Sequence, residues 1–349
     1  MSLCEAFSQQ AASCEKLGSP FMGQLLRLLA ERWSRGTRLD ARFAQFEGDI
    51  GPAGASLPLR MAGGLHALVL SGRTPELADV YPPHAVTDDA LWSAVRAALQ
   101  FHEDFMLNWV ESPPQTNEVR RSAALIPGAC VAANAFDLPF VISELGASAG
   151  LNLIWDRYAL VLPGMTLAPE NPVLTLTPEW EGPNPPGKIP LVSARSGVDL
   201  NPLNPANPDD LLRLTAYLWP DQPHRLDLTR AAAGAMTAHI ARGDAIDWLA
   251  HRLEDAPEGH VHLIQHTVAW QYFPSHAQDR GTALIEAAGR AASTRRPLAW
   301  LAMESDGDKT GRIGAALTLR LWPGDRTYNL GRADFHGRWV KWQDPGDPR

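Results

Sequence analysis

Glu144, Ser148 and the small residues around them are the part of this chain best placed to do chemistry. They lie in PFVISELGASAGLNLIWDRY, residues 139–158. Phe140-Val141-Ile142 is a short apolar run of β type, ended by Glu144-Leu145-Gly146. Gly146-Ala147-Ser148-Ala149-Gly150 has almost no side-chain bulk, so a ligand could approach its backbone closely. A helix is expected from about Leu151, with free N–H groups facing whatever sits over the loop. Two templates fit the same letters. E-x-G-x-x-x-G is a turn that cradles a nucleotide-like ligand, whereas G-x-S-x-G is a nucleophile elbow in which Ser148 would attack.

The elements around this turn separate the two readings. The first 135 residues read as helices, with Ser19-Pro20 opening one and Thr87-Asp88 opening a long one through DALWSAVRAALQFHEDFMLNWV. Thr116 or Asn117 caps the next, with Glu118 in its first turn. From 139 on, strand-like and helical segments alternate, which implies a doubly wound, mostly parallel α/β sheet with a closing antiparallel hairpin at its edge. The expected domains are therefore a helical one over 1–135 and an α/β one over 136–349, with a Pro/Gly-rich insertion near 160–190. A hydrolase elbow follows several strands, but here the turn follows the first clear strand. Ser148, Asp306 and His336 do stand in hydrolase chain order, which is a weak test because Asp and His are common.

The nucleotide reading becomes specific when the other acids are added, and it suits S-adenosylmethionine (SAM) in a class I methyltransferase. Open α/β sheets bind ligands at the carboxyl ends of their strands. Glu144, with Gly146, Ser148 and Gly150 beside it, would hold the ammonium of the SAM methionine part. Asp199, in RSGVDLNP, would accept hydrogen bonds from the ribose hydroxyls. Asp244, in ARGDAIDW, falls where a third strand should hand over to a helix, and would accept from the adenine amino group. Each acid taken singly reads as a cap or a solvated loop residue; their succession at strand ends is the stronger signal. In the cluster 116–121, Asn117 would cover the cofactor and Arg121, or Arg120 one position away, would face the SAM carboxylate. His266, Tyr272 and His336 are the candidates to take a proton from the methyl acceptor.

The segments QTNEVRRSAAL, ELGASAGLNL, SGVDLNPL, RGDAIDWL, WQYF, PLAWLAMES and FHGRWVKW resemble domain-of-unknown-function family 2332 over nearly the whole chain. That family looks like a branch of the class I SAM-dependent methyltransferases with an added N-terminal helical region. The resemblance implies a fold and a cofactor, not a substrate. Ser148 stands where a second glycine is common in such loops. The 55 residues from Glu144 to Asp199 imply an insertion between the first two core strands.

Composition narrows the partners. A hydrophobic fraction of 45% and a charged fraction of 20% suit a soluble globular protein. A net charge of −8 argues against nucleic acid, which needs a basic face. Without an apolar run of about 18–20 residues no membrane span is expected, and the N-terminus lacks the pattern of a signal peptide. Cys4, Cys14 and Cys130 form no C-x-x-C pair and suit the reducing cytoplasm of a bacterial-type soluble protein. Twelve Trp are high for this length and point to core packing or an aromatic-walled ligand site. His260, His262 and His266 share a strand face, yet His262 and His266 would lie roughly 13 Å apart, too far to hold one metal ion. The sequence reading is thus a SAM-dependent methyltransferase acting on a small molecule. A serine esterase using Ser148 and a non-catalytic binder of a nucleotide-like ligand are its rivals.

Overall fold

Hydroxyl side chains cap several N-terminal helices of the structure, a computed structural model that describes residues 1–51, 54–307 and 313–346. Ser2 forms a capping box with Glu5 at α1 (Leu3–Lys16), and Ser19 caps α2 (Pro20–Arg32) ahead of its first-turn proline. Short α3 (Arg38–Phe43), long α4 (Leu57–Leu70) and short α5 (Pro75–Ala78) follow. Thr87 caps α6 (Asp88–Phe101). The long helix expected here is broken: His102 leaves helical geometry at φ −117°, ψ 28°, and α7 (Glu103–Trp109) begins after it. Phe7, Leu25, Leu29, Leu57, Met61 and Leu65 are wholly buried between these helices. Each such side chain contributes roughly 1.5–3 kcal/mol of burial free energy.

The next helix, α8 (Ser122–Phe136), is entered through a 3-10 turn at Val119–Arg121. Glu118 does the capping expected of Thr116 or Asn117: its carboxylate accepts from the Arg120 N–H, because the turn is 3-10 and starts later. Then come β1 (Phe140–Leu145), β2 (Ala159–Leu162), β3 (Met165–Leu167), β4 (Thr175–Leu176), β5 (Glu179–Glu181) and β6 (Val192–Asp199). Two helices, α9 (Pro208–Ala216) and α10 (Pro223–Ala235), precede β7 (Ile240–Arg242), α11 (Ala245–Glu254), β8 (Val261–Thr267) and α12 (Ser275–Ala291). The remaining strands are β9 (Leu298–Glu304), β10 (Ala315–Trp322), β11 (Arg326–Ala333) and β12 (Trp339–Trp342).

Among the described residues, one sheet has the order β5-β12-β11-β10-β9-β8-β1-β6-β7, and a second, small sheet has the order β3-β2-β4. β7, β6, β1, β8 and β9 run parallel to one another, and β9 meets β10 antiparallel. Their chain order across the sheet is third-second-first-fourth-fifth, so the direction of progression reverses beside β1. β1 is buried along its whole length, as its apolar run requires. The closing hairpin of β10 and β11 is antiparallel as expected, but it is not the edge. β12 pairs with β11 and β5 with β12, and Trp180 stacks on Trp342 at 5.7 Å across that outer pair. The excursion between Glu144 and Asp199 thus supplies the small sheet and the edge strand β5, and returns β6 to the side of β1.

Contacts divide the chain into residues 1–116 with 206–227, and residues 117–205 with 228–349. The sequence-based boundary at 135 falls too late, because α8 packs on the sheet. Residues 206–227 belong with the N-terminal helices: His66 Nδ1 lies 3.1 Å from the Ala216 carbonyl, Tyr217 packs on Trp109, and Asp221 accepts from the Phe21 N–H at 2.9 Å. Among the described residues no helix is long and apolar enough to cross a membrane. The close approach of α8 to the sheet depends on Gly128, where an added Cβ would meet Leu301 Cδ1 at 2.6 Å. Gly128→Val is expected to destabilise the protein by about 1–3 kcal/mol, the range for overpacking a filled core, read as an earlier urea midpoint.

Candidate functional site

The parallel register sets the carboxyl ends of β1, β6, β7 and β8 side by side. Leu145 lies opposite Val198, Asp199 opposite Arg242, and Glu144 opposite Gln265. A cleft of about 160 Å³ opens there, with Gly146, Asp199, Asp244, Tyr272 and Phe273 in its wall. Four residues singled out in the sequence, Gly146, Asp199, Asp244 and Tyr272, therefore share one cleft.

The loop between β1 and the following turn is held by alternating left-handed residues, Gly146 (φ 68°), Ser148 (φ 52°) and Gly150 (φ 74°). Its N–H groups largely serve the protein. Ala147 donates to the Val198 carbonyl at 3.0 Å, Ser148 to Asp199 Oδ2 at 2.8 Å, and Gly150 to the Ala147 carbonyl at 2.7 Å. The expected α-helix after the loop is a seven-residue 3-10 stretch, Leu151–Arg157, with a kink at Ile154. Its first N–H donates to Asn117 Oδ1 at 2.7 Å, so it is closed by the protein rather than offered to a ligand. Space over Gly150 is also filled, since a Cβ there would meet Met236 Cε at 2.3 Å. The small residues let protein chains pack closely around the loop, and only Gly146 of the two glycines reaches the cleft.

Asp199 accepts from Ser148 through Oδ2 and from the Asn201 N–H through Oδ1, both at 2.8 Å, which fixes its carboxylate at the end of β6. Asp244 caps α11, its Oδ1 accepting from Ile246 and Asp247 N–H groups, while Oδ2 takes no part in the cap. Glu144 is 2% exposed, and its Oε2 has no hydrogen-bond partner among the described residues. Burial pushes its carboxyl up to about 8, against the opposing pull of a Gln265 hydrogen bond and the Arg121 charge. Gln265 also donates to the Asn152 carbonyl and accepts from Trp155 Nε1. Asn152 and Gln265, neither singled out in the sequence, thus form a buried hydrogen-bond network beside Glu144; polar residues inside the LNLIW and VHLIQ runs are the signal that could have found them.

Arg121 donates to the Phe335 carbonyl at 2.8 Å and the Thr267 carbonyl at 3.2 Å, and its charge acts on Glu144. The neighbouring Arg120 pairs with Glu118 at 3.0 Å. Of the three expected proton acceptors, Tyr272 is in the cleft wall and 70% exposed. His266 is 1% exposed with both ring nitrogens engaged. Trp300 Nε1 donates to Nε2 at 2.9 Å, so Nδ1 carries the ring proton and donates to Glu304 Oε1 at 2.7 Å. His336 lies in the turn after β11, where its N–H donates to Asp334, and is not among the residues that line the cleft. Asp306, the acid of the expected hydrolase order, is held by two hydrogen bonds from Arg332 at 2.8 and 3.1 Å.

Glu304 ends β9 and organises the turn that carries Tyr272. It accepts from His266 and from the N–H groups of Ala269, Trp270 and Gln271, at 2.7–3.3 Å. Burial alone would raise its carboxyl, but these donors hold it below the usual range. The turn needs such support because Val268 has φ 52°, a left-handed conformation that costs a β-branched residue about 1–3 kcal/mol. Trp270 stacks on His266 at 5.0 Å and packs on Trp300 at 5.6 Å. Among the described residues, no three His, Cys, Asp or Glu side chains are grouped to hold a metal ion.

The sequence profile of the family described as "Uncharacterized protein conserved in bacteria (DUF2332)" matches residues 4–342, and the chain belongs to that family. Among curated proteins none is similar enough to match.

Glu144 gives a pH test of the site. Its folded value of about 8 lies above the ordinary 4.5, so its contribution is fully present below about pH 4.5 and is lost as pH rises through 8. Glu144→Gln is expected to remove that decline, leaving the variant more stable than the parent above pH 8. Thermal melts from pH 5 to 9 read it: parallel curves for parent and variant would show that Glu144 does not titrate in this window.

Proposed function

We propose that this protein is a SAM-dependent methyltransferase acting on a small-molecule acceptor. The observation that carries the reading is the cleft at the carboxyl ends of β1, β6 and β7, with Asp199 and Asp244 in its wall and buried Glu144 on the strand between β6 and β8. It lies beside the reversal in strand order, where open α/β sheets bind their ligands. The chemistry of the donors and acceptors fits. The unpartnered oxygen of Glu144 suits an ammonium, the fixed Asp199 carboxylate suits a pair of ribose hydroxyls, and Asp244 Oδ2 suits an adenine amino group. Because the loop N–H groups bond mainly to the protein, the site favours a nucleoside without phosphates. Arg121 supplies positive charge near Glu144, as a ligand carboxylate requires.

When bound, SAM would supply an electrophilic methyl group on a cationic sulfur. The protein's part is alignment: the acids hold one end of the cofactor, Tyr272 and Phe273 wall the cleft, and the acceptor is brought into line with the methyl. Of the wall residues not assigned to the cofactor, Tyr272 is the one whose hydroxyl can relay a proton from the acceptor to water. The face of an exposed Tyr ring also attracts a cation by about 0.5–1 kcal/mol.

Calorimetric titration with SAM and S-adenosylhomocysteine tests the reading, with Asp244→Ser as the informative variant. Ser caps a helix about as well as Asp, so stability should stay within about 0.5 kcal/mol while SAM affinity falls roughly tenfold. Absence of heat at millimolar SAM, with folded protein confirmed, would sink the proposal. Binding without methyl transfer to any acceptor would leave a nucleoside-binding protein instead.

One observation favours the esterase reading: Ser148 is left-handed in a strand-to-helix turn, as a nucleophile elbow requires. The pairing of Asp306 with Arg332 weighs against it. A fluorophosphonate probe is therefore expected to leave Ser148 unlabelled; covalent labelling there, lost in Ser148→Ala, would reverse the assignment.

A further inference from the structure

The helical unit contains a cavity of about 280 Å³, formed wholly within residues 33–103. One wall is the end of α2 and the start of α3, with Trp33 and Leu39; the other is α6. Trp92, Arg96, Leu99 and Gln100 recur along α6 at the spacing of one helix face, beside the stripe of Leu91, Val95 and Ala98 that faces the core. The first stripe is mixed: Trp92 and Leu99 are half-buried against the core, while Arg96 and Gln100 are exposed at the rim of the hollow.

The polar groups around this hollow are matched unevenly. Trp33 Nε1 donates to Asp40, and the Trp33 ring stacks on Phe43 at 5.6 Å with an interplanar angle of 4°, so that wall is rigid. Arg32 pairs with Asp89 at 2.7 Å and Arg35 with Asp40 at 3.5 Å. Glu103, the one acid in the lining, accepts from the Arg38 backbone N–H at 3.1 Å and pairs with its guanidinium at 3.4 Å. Arg96 differs: among the described residues its guanidinium has no acid partner. Trp92 Nε1 and the Gln100 amide likewise make no hydrogen bond within the protein. The donors left over are therefore a cation, an indole N–H and an amide, in a chain whose net charge is −8.

We propose that this cavity is a binding site for a compact planar aromatic carboxylate, with the ring against Trp33 and Trp92 and the carboxylate on Arg96. Flat walls of Trp and Leu select a planar apolar body over a branched one. The single uncompensated guanidinium selects a monoanion, which it can hold with two parallel hydrogen bonds. The volume lies just below the roughly 300–1,000 Å³ of drug-sized sites, which limits the ligand to one or two rings. This site is independent of the methyltransferase reading.

The test is calorimetry on the full chain with 2-naphthoate and its neutral analogue 2-naphthalenemethanol, for the parent protein and for Arg96→Met and Trp92→Leu. Both positions are on the cavity side of α6, so the variants should keep the parent helicity by circular dichroism. Naphthoate is expected to bind saturably, at least about tenfold tighter than the alcohol, as the charge-assisted pair at an exposed guanidinium predicts. Arg96→Met should abolish that preference, leaving both compounds equally weak, and Trp92→Leu should weaken both together. The proposal is overturned if naphthoate fails to saturate at millimolar concentration, binds no better than the alcohol, or keeps its affinity in Arg96→Met.

Discussion

A single carboxylate, Glu304, holds the geometry on which the cleft depends. Four donors converge on it from β8 and the turn that follows, and together with the Val268 N–H bond to the Met303 carbonyl they hold Val268 left-handed. That turn sets Ala269 against Gly146, where a Cβ would approach to 2.5 Å, and sends Tyr272 into the cleft wall. Glu304 is itself fixed because β9 pairs in parallel with β8, with His266 opposite Ala302. Charge-assisted bonds of this kind are about twice as strong as neutral ones, which suits a part meant to stay still.

A second carboxylate works in the same way on the other side. Asp199 ties the loop after β1 to the end of β6 through the Ser148 N–H, so the two strands share one rigid rim. Glu144 is the exception. It sits between these fixed points with one oxygen unsatisfied and its proton retained by burial. The contrast between satisfied acids that shape the rim and an unsatisfied one beneath it separates scaffold from candidate contact, because an unmatched buried polar group costs about 1–3 kcal/mol until something completes it.

Local pattern made much of this legible. The runs over 140–142, 261–267 and 298–304 are strands as expected, the first two buried throughout, and the acids at 199 and 244 end or follow strands as the alternation implied. What escaped was non-local. His266 reads as a cleft histidine until Trp300 and Glu304 are seen on its two nitrogens, and both partners lie more than 30 residues away. The break at His102 carries no Pro or Gly to announce it. The edge strand β5 exists only because β12 pairs with it, across about 160 residues of chain. Arg120 and Arg121 could not be told apart by helix phase, because the turn that carries them is 3-10.

The chain's division bears on its synthesis. Residues 206–227 complete the N-terminal helical unit, yet they are made only after β1 and β6. At about 5–20 residues per second, the 90 residues between 116 and 206 take a ribosome roughly 5–20 s. Through that interval the faces that receive Tyr217 and Trp219 wait uncovered, among them His66 and Trp109. Emergence from the ribosome thus cannot finish the two units one after the other; the second must be under construction before the first can close.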